Sequence, residues 1–304
     1  MYDVTDVAFR HVVSSAGAPD VYFTEFVSTD GLMSHGKEKL MHHLQREDSP
    51  TPVVAQLFGA NPEKYTGTAQ LVAELGFQGV DINMGCPDKN IIKGGSCAAL
   101  FRTPELARDI VLAAKAGAGN LPVSVKIRIG DTKIDWEHWI ATLLEAQPAA
   151  ISIHLRTRKE MSKVPAHWEL MPEIVQFIHS HTTAETRPLI VGNGDVLTTQ
   201  EGRTKVETTG CDGVMIGRGI FQNPWVFAKD ADTPRSIKEK ATLLLLHAQK
   251  YEQYFQGVKL LEPLKRFYKI YINGFEGAAE IREELYKTQS VAEISHVLES
   301  RNIL

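Results

Sequence analysis

The sequence has 304 residues, of which 43% are hydrophobic and 23% are charged, and its formal net charge at pH 7 is −4. This composition is typical of a globular protein and excludes a polycation that binds nucleic acid over its whole surface. The three cysteines form no CxxC pattern, the apolar runs are too short for a bilayer, and the N-terminus shows no leader pattern. We therefore expect a cytoplasmic protein without a metal or membrane partner.

Short apolar runs typical of strands alternate with helical patterns through the first 220 residues. The predicted strands are 21–26, 52–58, 79–84, 123–129, 149–155, 189–191 and 213–216; the predicted helices are 62–75, 104–116, 136–145, 168–179, 198–208 and a segment that begins at Phe221. Near-continuous apolar strands that alternate with helices of 3.6-residue spacing are typical of parallel βα units. Seven such units predict an α/β fold of the (β/α)8 TIM-barrel class, with a doubly wound open sheet as the alternative.

The N-terminus begins beyond the point where a first barrel strand is expected. Turn residues follow Met1 at once, and we expect Asp3 or Thr5 to cap a helix that runs through Phe9 and Val13. The sequence therefore predicts a barrel whose first strand is truncated.

The composition changes after Asp230, and a linker is predicted at 232–234. Residues 235–304 show only helical patterns and carry 11 Lys and Arg residues against nine Asp and Glu residues, whereas the first 234 residues have a net charge of −6. We predict a barrel domain over 1–230 and a helical domain over 235–304. The positive sign of the tail suits a partner with phosphates. Its cluster of Lys265, Arg266 and Lys269 is nevertheless more typical of a solvated helix face.

The segment 80–100, VDINMGCPDKNIIKGGSCAAL, is the strongest candidate for chemistry. Asp81 and a nearby asparagine interrupt its apolar strand, where polar side chains are costly unless they are hydrogen-bonded or face a site. Cys86 follows where the strand stops, and the next residue, a proline, restricts the geometry of its turn. Cysteine is more often a small buried residue than a reactive one. Its position at a strand end favours chemistry for Cys86, whereas Cys97 is expected to pack among small residues at a helix start and Cys211 in the core.

Polar or glycine residues lie near the end of each predicted strand from the second to the seventh. The carboxyl ends of barrel strands meet at one rim, so these residues are expected to converge on one pocket. The last two turns, GNGD and GRG, lead into helices whose free N–H groups favour a phosphate. A phosphate there, with a lysine and amides nearby, suits FMN, and no Rossmann or P-loop motif occurs. The polar and glycine residues near these strand ends are Gln56, Asn83, Lys126, Arg128, His154, Asn193, Asp195, Gly217 and Arg218.

Seven motifs of the chain resemble those of one enzyme family. In chain order they are VTDVAFR, VAQLFG, DINMGCPDKNIIKGGSCAAL, VSVKIR, SIHLRTRKEM, VGNGDV and MIGRG, and they resemble the motifs of the bacterial type of tRNA-dihydrouridine synthase. The match covers the predicted barrel, and the tail with LKRFYKIYINGF is similar to the C-terminal helical domain of that family. DINMGCP is the most specific motif, since a barrel by itself hosts many chemistries.

The resemblance implies an FMN enzyme that reduces the C5–C6 double bond of selected uridines in tRNA, with NADPH (or NADH) as the electron donor. It implies that Cys86 is the general acid, that Asn83, Arg156 and Arg158 contact the substrate, and that the helical domain binds tRNA. We expect a monomer. The cofactor contacts implied are Met1, Gln56, Lys126, His154, Asn193, Gly194, Asp195, Gly217 and Arg218.

Two positions depart from the family pattern. Met1 stands where the family has the last residue of an A-P-M strand end, and Leu155 replaces the usual glycine of an HGRTR motif. Two other functions stay open at this point. One is an FMN barrel oxidoreductase that acts on a small pyrimidine or enone, which would leave the helical tail without an evident task. The other is a non-catalytic tRNA-binding remnant, which the intact pocket motifs disfavour.

Overall fold

The computed structural model describes residues 1–47, 49–256 and 261–304. Within these ranges, seven strands form one parallel sheet, and each strand pairs with the next one along the chain. They are β1 (Tyr22–Ser28), β2 (Val53–Phe58), β3 (Gly79–Asn83), β4 (Val123–Arg128), β5 (Ala150–His154), β6 (Leu189–Asn193) and β7 (Gly213–Met215). Consecutive order confirms the TIM-barrel class, since strand order reverses at a switch point in a doubly wound sheet.

Helices connect the successive strands, as the alternating sequence pattern predicts. The α-helices of the described ranges are α1 (Val7–Ala16), α2 (Thr29–Leu32), α3 (Lys37–Leu40), α4 (Pro62–Glu74), α5 (Lys89–Lys93), α6 (Pro104–Ala118), α7 (Glu137–Leu144), α8 (Met171–Ser180), α9 (Thr199–Thr209), α10 (Ile237–Phe255), α11 (Tyr268–Tyr271), α12 (Ala278–Leu285) and α13 (Val291–Ser300). The 3-10 helices are Met41–Leu44, Cys97–Arg102, Trp168–Leu170, Arg218–Phe221 and Glu262–Phe267. In the described part of the chain, no helix is both long and apolar enough to cross a membrane.

Local sequence explains why these elements form where they do. All five residues of β3 are buried, as expected for a parallel strand that is covered on both faces. Helix α4 begins with Pro62 after Asn61, whose side chain accepts a hydrogen bond from the N–H of Glu63 (3.0 Å). Helix α6 buries Ala107, Ile110 and other residues at helical spacing. Each strand therefore meets an apolar helix face.

The chain packs as two units. The sheet unit consists of Met1, Val21–Arg46 and Pro52–Gly217, and the helical unit consists of Tyr2–Asp20, Glu47–Thr51 and Arg218–Leu304. The N-terminal helix thus packs with the C-terminal helices, and this division differs from the predicted boundary near residue 230. The assignment of a separate function to each domain stays a prediction.

Aromatic packing holds α1 to the rest of the helical unit. The ring of Phe9 on α1 stacks on Phe267 at a centroid distance of 5.1 Å and lies 5.7 Å from the ring of His247. The cap of this helix was predicted wrongly. Asp6 caps it by accepting from the N–H of Phe9 (2.9 Å), and the Thr5 carbonyl accepts instead from Arg10 Nη1 (2.7 Å).

The helix predicted from Phe221 onward is also wrong. A short 3-10 helix ends at Phe221, and the next long helix of the described ranges, α10, begins at Ile237. Asn223 holds the intervening turns, because its Oδ1 accepts from the N–H of Trp225 (3.0 Å) and its Nδ2 donates to the Ala231 carbonyl (2.8 Å). Asn-Pro pairs favour a turn, and here that local chemistry overrides the apolar spacing.

Candidate active site

Cys86 lies in a turn just beyond β3, and the side chain of Asn83 holds that turn. Asn83 Oδ1 accepts hydrogen bonds from the backbone N–H groups of Gly85 (3.1 Å) and Cys86 (3.0 Å). Pro87 follows, and Asp88 then caps α5 by accepting from two of its N–H groups (2.9 and 3.2 Å). The thiol therefore sits on a segment that is fixed on both sides.

A row of amides connects this turn to a buried carboxylate. Asn83 Nδ2 donates to Gln56 Oε1 (3.0 Å), and Gln56 Nε2 donates to Asp81 Oδ2 (2.7 Å). The second oxygen of Asp81 accepts from Ser124 Oγ (2.6 Å). Burial raises the pKa of Asp81, while the hydrogen bonds from Ser124 and Gln56 lower it. The row joins β2, β3 and β4 through side chains.

Cys97 modifies the acidity of the thiol at Cys86. A hydrogen bond with Cys97 is the largest of the influences that lower the pKa of Cys86 from 9.0 to about 7, against the opposing effects of burial and of the Asp88 charge. Burial in turn raises the pKa of Cys97. The N–H of Ala98 donates to the Cys86 carbonyl (3.3 Å), and the backbone of Cys97 has a φ of +54°. The sequence predicted the burial of Cys97 correctly and missed this contact.

Arg128 links the cysteine turn to the loop that follows β5. Its buried guanidinium donates to the carbonyl oxygens of Gly85 (2.7 Å), Thr157 (3.0 Å) and Met161 (3.2 Å). Burial lowers the pKa of Arg128 to about 10, so it stays a cation at neutral pH. One charged group thereby fixes two loops at the same rim.

Lys126 places a half-buried ammonium at the centre of the sheet's rim. Its Nζ donates to Asn193 Oδ1 (3.0 Å) on β6, and Asn193 Nδ2 donates to the Met215 carbonyl (2.8 Å) on β7. Burial and, to a smaller extent, the Arg128 charge lower the pKa of Lys126 to about 8, against the opposing charge of Asp81. The lysine thus stays mainly protonated at pH 7 and donates to a neutral amide.

The end of β5 carries a second group of polar residues. Arg156 is buried, and its guanidinium donates to the Val164 carbonyl (2.6 Å), contacts Asp195 Oδ2 and lies 3.2 Å from His154 Nε2. Asp195 also accepts from the N–H of Ala166 (2.9 Å). These contacts fasten the loop after β5 onto the glycine turn after β6.

The glycines of these turns serve different purposes. A Cβ at Gly192 would lie 2.4 Å from the Trp168 ring, and one at Gly194, where φ is +130°, would lie 2.7 Å from Ala166 Cβ. Protein atoms therefore require both glycines. A Cβ at Gly217 would meet no described atom within 4 Å. The described atoms therefore do not require a glycine at this position, and the open space lets a ligand approach the backbone there.

Comparison with known proteins identifies the family. Residues 1–303 match the family model described as dihydrouridine synthase. The chain is 44% identical over 302 residues to a probable tRNA-dihydrouridine synthase 2 of Bacillus subtilis (strain 168), covering 98% of this chain and 91% of the relative. It is 43% identical over 304 residues to a probable tRNA-dihydrouridine synthase of Staphylococcus aureus (strain MRSA252), with 98% and 90% covered. The chain belongs to the dihydrouridine synthase family. This finding confirms the resemblance inferred from the motifs.

The residues of this site fit the FMN on which the family depends. The Lys126 ammonium has three N–H donors, gives one to Asn193 and keeps others for an electron-rich ligand. The amides of Gln56 and Asn83 each donate one of their two hydrogens within the row. With the open backbone at Gly217, these groups offer a cation, amide donors and room for a close approach.

The structure brings together most of the predicted site residues. Hydrogen bonds connect the following residues to one another or to the same loops: Gln56, Asn83, Cys86, Lys126, His154, Asn193 and Asp195. Met1 and Gly217 belong to the same unit, whereas Arg218 opens a 3-10 helix of the helical unit. Arg156 is buried, and Arg158 contacts Asp131 through its Nε. The functional role of each residue stays a prediction.

Two members of this group were not predicted as site residues. Asp81 could have been found because a fully buried carboxylate within an apolar strand needs partners. Cys97 gave no such signal, since the distance along the chain does not reveal its contact with Cys86. Leu155, where the family commonly has glycine, is buried, and its backbone pairs with Asn193 (3.0 Å) and His167 (2.8 Å).

Proposed function

We propose that this chain is a tRNA-dihydrouridine synthase that binds FMN and reduces the C5–C6 double bond of uridine in tRNA, with NADPH as the electron donor. The observation that carries the proposal is the meeting of the Cys86 turn, the amides of Gln56 and Asn83 and the Lys126 ammonium at one rim, in a member of this family. The names of the relatives, which are probable tRNA-dihydrouridine synthases, support tRNA as the substrate.

Cys86 is the proton donor of the proposed reaction. When bound, FMN supplies the hydride chemistry that reduces the double bond. The thiol of Cys86 gives the proton that C5 requires, and its pKa of about 7 suits that task, because proton transfer is most effective when the pKa is near the working pH. Arg128 and Asn83 hold the backbone of the turn so that the thiol stays in place.

Lys126 and the amides bind rather than react. The Lys126 ammonium, held by Asn193, stabilises negative charge on the reduced flavin ring. Gln56 contributes to the flavin site, and Asn83 lies where flavin and uracil edges need a hydrogen-bond donor. Gly194, His154 and Asp195 fix the turn after β6, whose N–H groups suit the phosphate of the cofactor.

The helical unit is the proposed docking surface for tRNA. The target base must leave its stack to reach a strand-end pocket, so contacts to the rest of the RNA must position it. Within the unit, Lys265 donates to the Tyr286 carbonyl (2.7 Å) and Arg266 to the Asp3 carbonyl (3.0 Å), while Lys269 is exposed. We therefore expect the whole basic surface of the unit to bind phosphate, not this cluster alone. A cytoplasmic monomer completes the proposal.

The proposal is tested with purified protein, FMN, NADPH and an unmodified tRNA transcript. Mass spectrometry of the digested tRNA should reveal uridine that has gained two hydrogens, and a transcript without NADPH is the control. Reduction of free uridine or an enone with no change in tRNA would instead support the small-molecule oxidoreductase. A colourless protein that binds tRNA and takes up no FMN would support the non-catalytic remnant.

A further inference from the structure

The buried carboxylate of Asp81 has no part in the proposed chemistry, yet it ends the row of amides that reaches the cysteine turn. Its side chain has no exposed surface, and a carboxylate that is buried in a strand is costly unless hydrogen bonds compensate it. Ser124 and Gln56 provide such bonds at 2.6 and 2.7 Å. Strand pairing alone needs no charged residue here, so the carboxylate calls for another explanation.

The direction of each hydrogen bond in the row fits an acceptor at Asp81 and the N–H donors of the cysteine turn at the other end. An ionised carboxylate only accepts, so Gln56 must turn its NH2 group toward Asp81 and its oxygen toward Asn83. Asn83 must then turn its NH2 group toward Gln56, which leaves its oxygen for the N–H groups of Gly85 and Cys86. Reversal of Gln56 would place two NH2 groups, or two oxygens, face to face. The carboxylate at one end of the row and the two backbone N–H groups at the other thus favour the same orientation of the two amides.

We propose that Asp81 is a positioning residue for the reaction, which orients Gln56 and Asn83 and through them holds the Cys86 turn. This inference rests on the proposed function and adds to it a residue that touches neither the cysteine turn nor the thiol. It also explains why this position of the buried strand β3 is an aspartate. Hydrogen-bonded networks of this kind have a large effect when one member is removed, because a buried donor is left unsatisfied.

Three substitutions separate this account from a merely structural role. Asp81→Ala removes the acceptor at the end of the row. Asp81→Asn keeps an acceptor for Gln56 and offers its NH2 group to Ser124, whose hydroxyl can turn to the Val80 carbonyl (3.5 Å). Ser124→Ala is the matched control, because it removes a hydrogen bond to the same carboxylate and leaves the row intact.

The first measurement is turnover of tRNA by each holoenzyme. We expect Asp81→Ala to lower kcat by about tenfold or more. Asp81→Asn and Ser124→Ala should stay within about threefold of the parent chain. A kcat for Asp81→Ala equal to that of Ser124→Ala, or an Asn variant as impaired as the Ala variant, would overturn the inference. If the parent chain itself forms no dihydrouridine, the proposed function fails, and the second measurement still tests Asp81.

The second measurement is alkylation of Cys86 by iodoacetamide in the flavin-free protein as a function of pH, followed by mass spectrometry. Cys97, Asp88, Arg128 and Lys126 are the described groups that act on this thiol, and Asp81 is not one of them. A change at Asp81 can reach the thiol through the turn or through the charge of Lys126, and Asp81→Asn separates the two routes, because it removes the charge and keeps the row. The pH midpoint of Cys86 alkylation should rise from about 7 in the parent chain toward 9.0 in Asp81→Ala. In Asp81→Asn it should stay at the value of the parent chain. An unchanged midpoint in Asp81→Ala would refute the inference.

Discussion

The sheet unit and the helical unit both bury charged side chains, but they satisfy them in different ways. In the sheet unit the hydrogen bonds form a row that runs from buried Asp81 to half-buried Cys86. In the helical unit, Arg10 forms a buried ion pair with Glu47 (2.9 Å, both side chains 1% exposed), a closed pair in the sense that its two charges neutralise each other. An open row leaves donors for a ligand, whereas a closed pair can only stabilise or specify the packing.

The largest effect should come from a substitution of Cys86, which lies at the end of the row opposite Asp81. Cys86→Ala removes the proposed proton donor, and we expect dihydrouridine formation to fall by about 10²–10⁴-fold with little change in the melting temperature. Turnover is measured by mass spectrometry of tRNA nucleosides. Cys211→Ala, which removes a buried cysteine of the same unit outside the row, is the matched control. Equal turnover in the two variants would remove Cys86 from its role.

A closed pair should respond to substitution in stability and not in chemistry. Arg10→Met leaves the carboxylate of Glu47 buried without its cation, and we expect a loss of about 3–5 kcal/mol in the free energy of unfolding. The double variant Arg10→Met, Glu47→Leu should recover most of that loss, because no charge is left buried. Urea unfolding at pH 7.5 measures both. A double variant as unstable as the single one would contradict this account.

His247 makes the stability of the helical unit dependent on pH. Burial lowers its pKa from 6.5 to about 3, so the neutral ring is favoured in the folded state. The contribution of neutral His247 to the free energy of unfolding is complete above pH 6.5, and it is lost as the pH falls from 6.5 toward 3. The free energy of unfolding should fall by about 2 kcal/mol between pH 7.5 and pH 5 from this residue.

The test is urea unfolding at both pH values for the parent chain and for His247→Gln, which keeps an acceptor for the Tyr271 hydroxyl. The glutamine does not titrate, so the variant should lose about 2 kcal/mol less stability than the parent between the two values. The same acid loss in both chains would exclude His247 as its source.

The smallest effect is expected for the neighbour of the proton donor. Turnover should decline as the pH rises through about 7, because the protonated thiol of Cys86 is the acid. Cys97→Ala removes the hydrogen bond that lowers this pKa, so the decline should move to higher pH by about one unit, or ~1.4 kcal/mol. Cys97→Ser, which keeps a donor, should shift it less. A decline at the same pH in Cys97→Ala would show that the two sulfurs do not interact.

The sequence predicted the elements of the sheet well, because parallel strands that are covered on both faces form continuous apolar runs. The cysteine turn and the rim residues Gln56, Lys126 and Asn193 were also found, since polar residues at successive strand ends converge in a barrel. The cap at Asp6 and the turns after Phe221 were missed, because several neighbouring residues could serve as caps and the Asn-Pro signal was outweighed by apolar spacing.

The sequence by itself determined the strand and helix order, the family and the position of the cysteine turn, because these depend on local pattern and on motifs that are contiguous in the chain. The tertiary structure alone decided which side chains meet: Cys97 with Cys86, Asp81 with Gln56, and Phe9 with Phe267. Such contacts join residues that are distant along the chain or lie on different elements. They depend on register and packing, which no short stretch of sequence encodes.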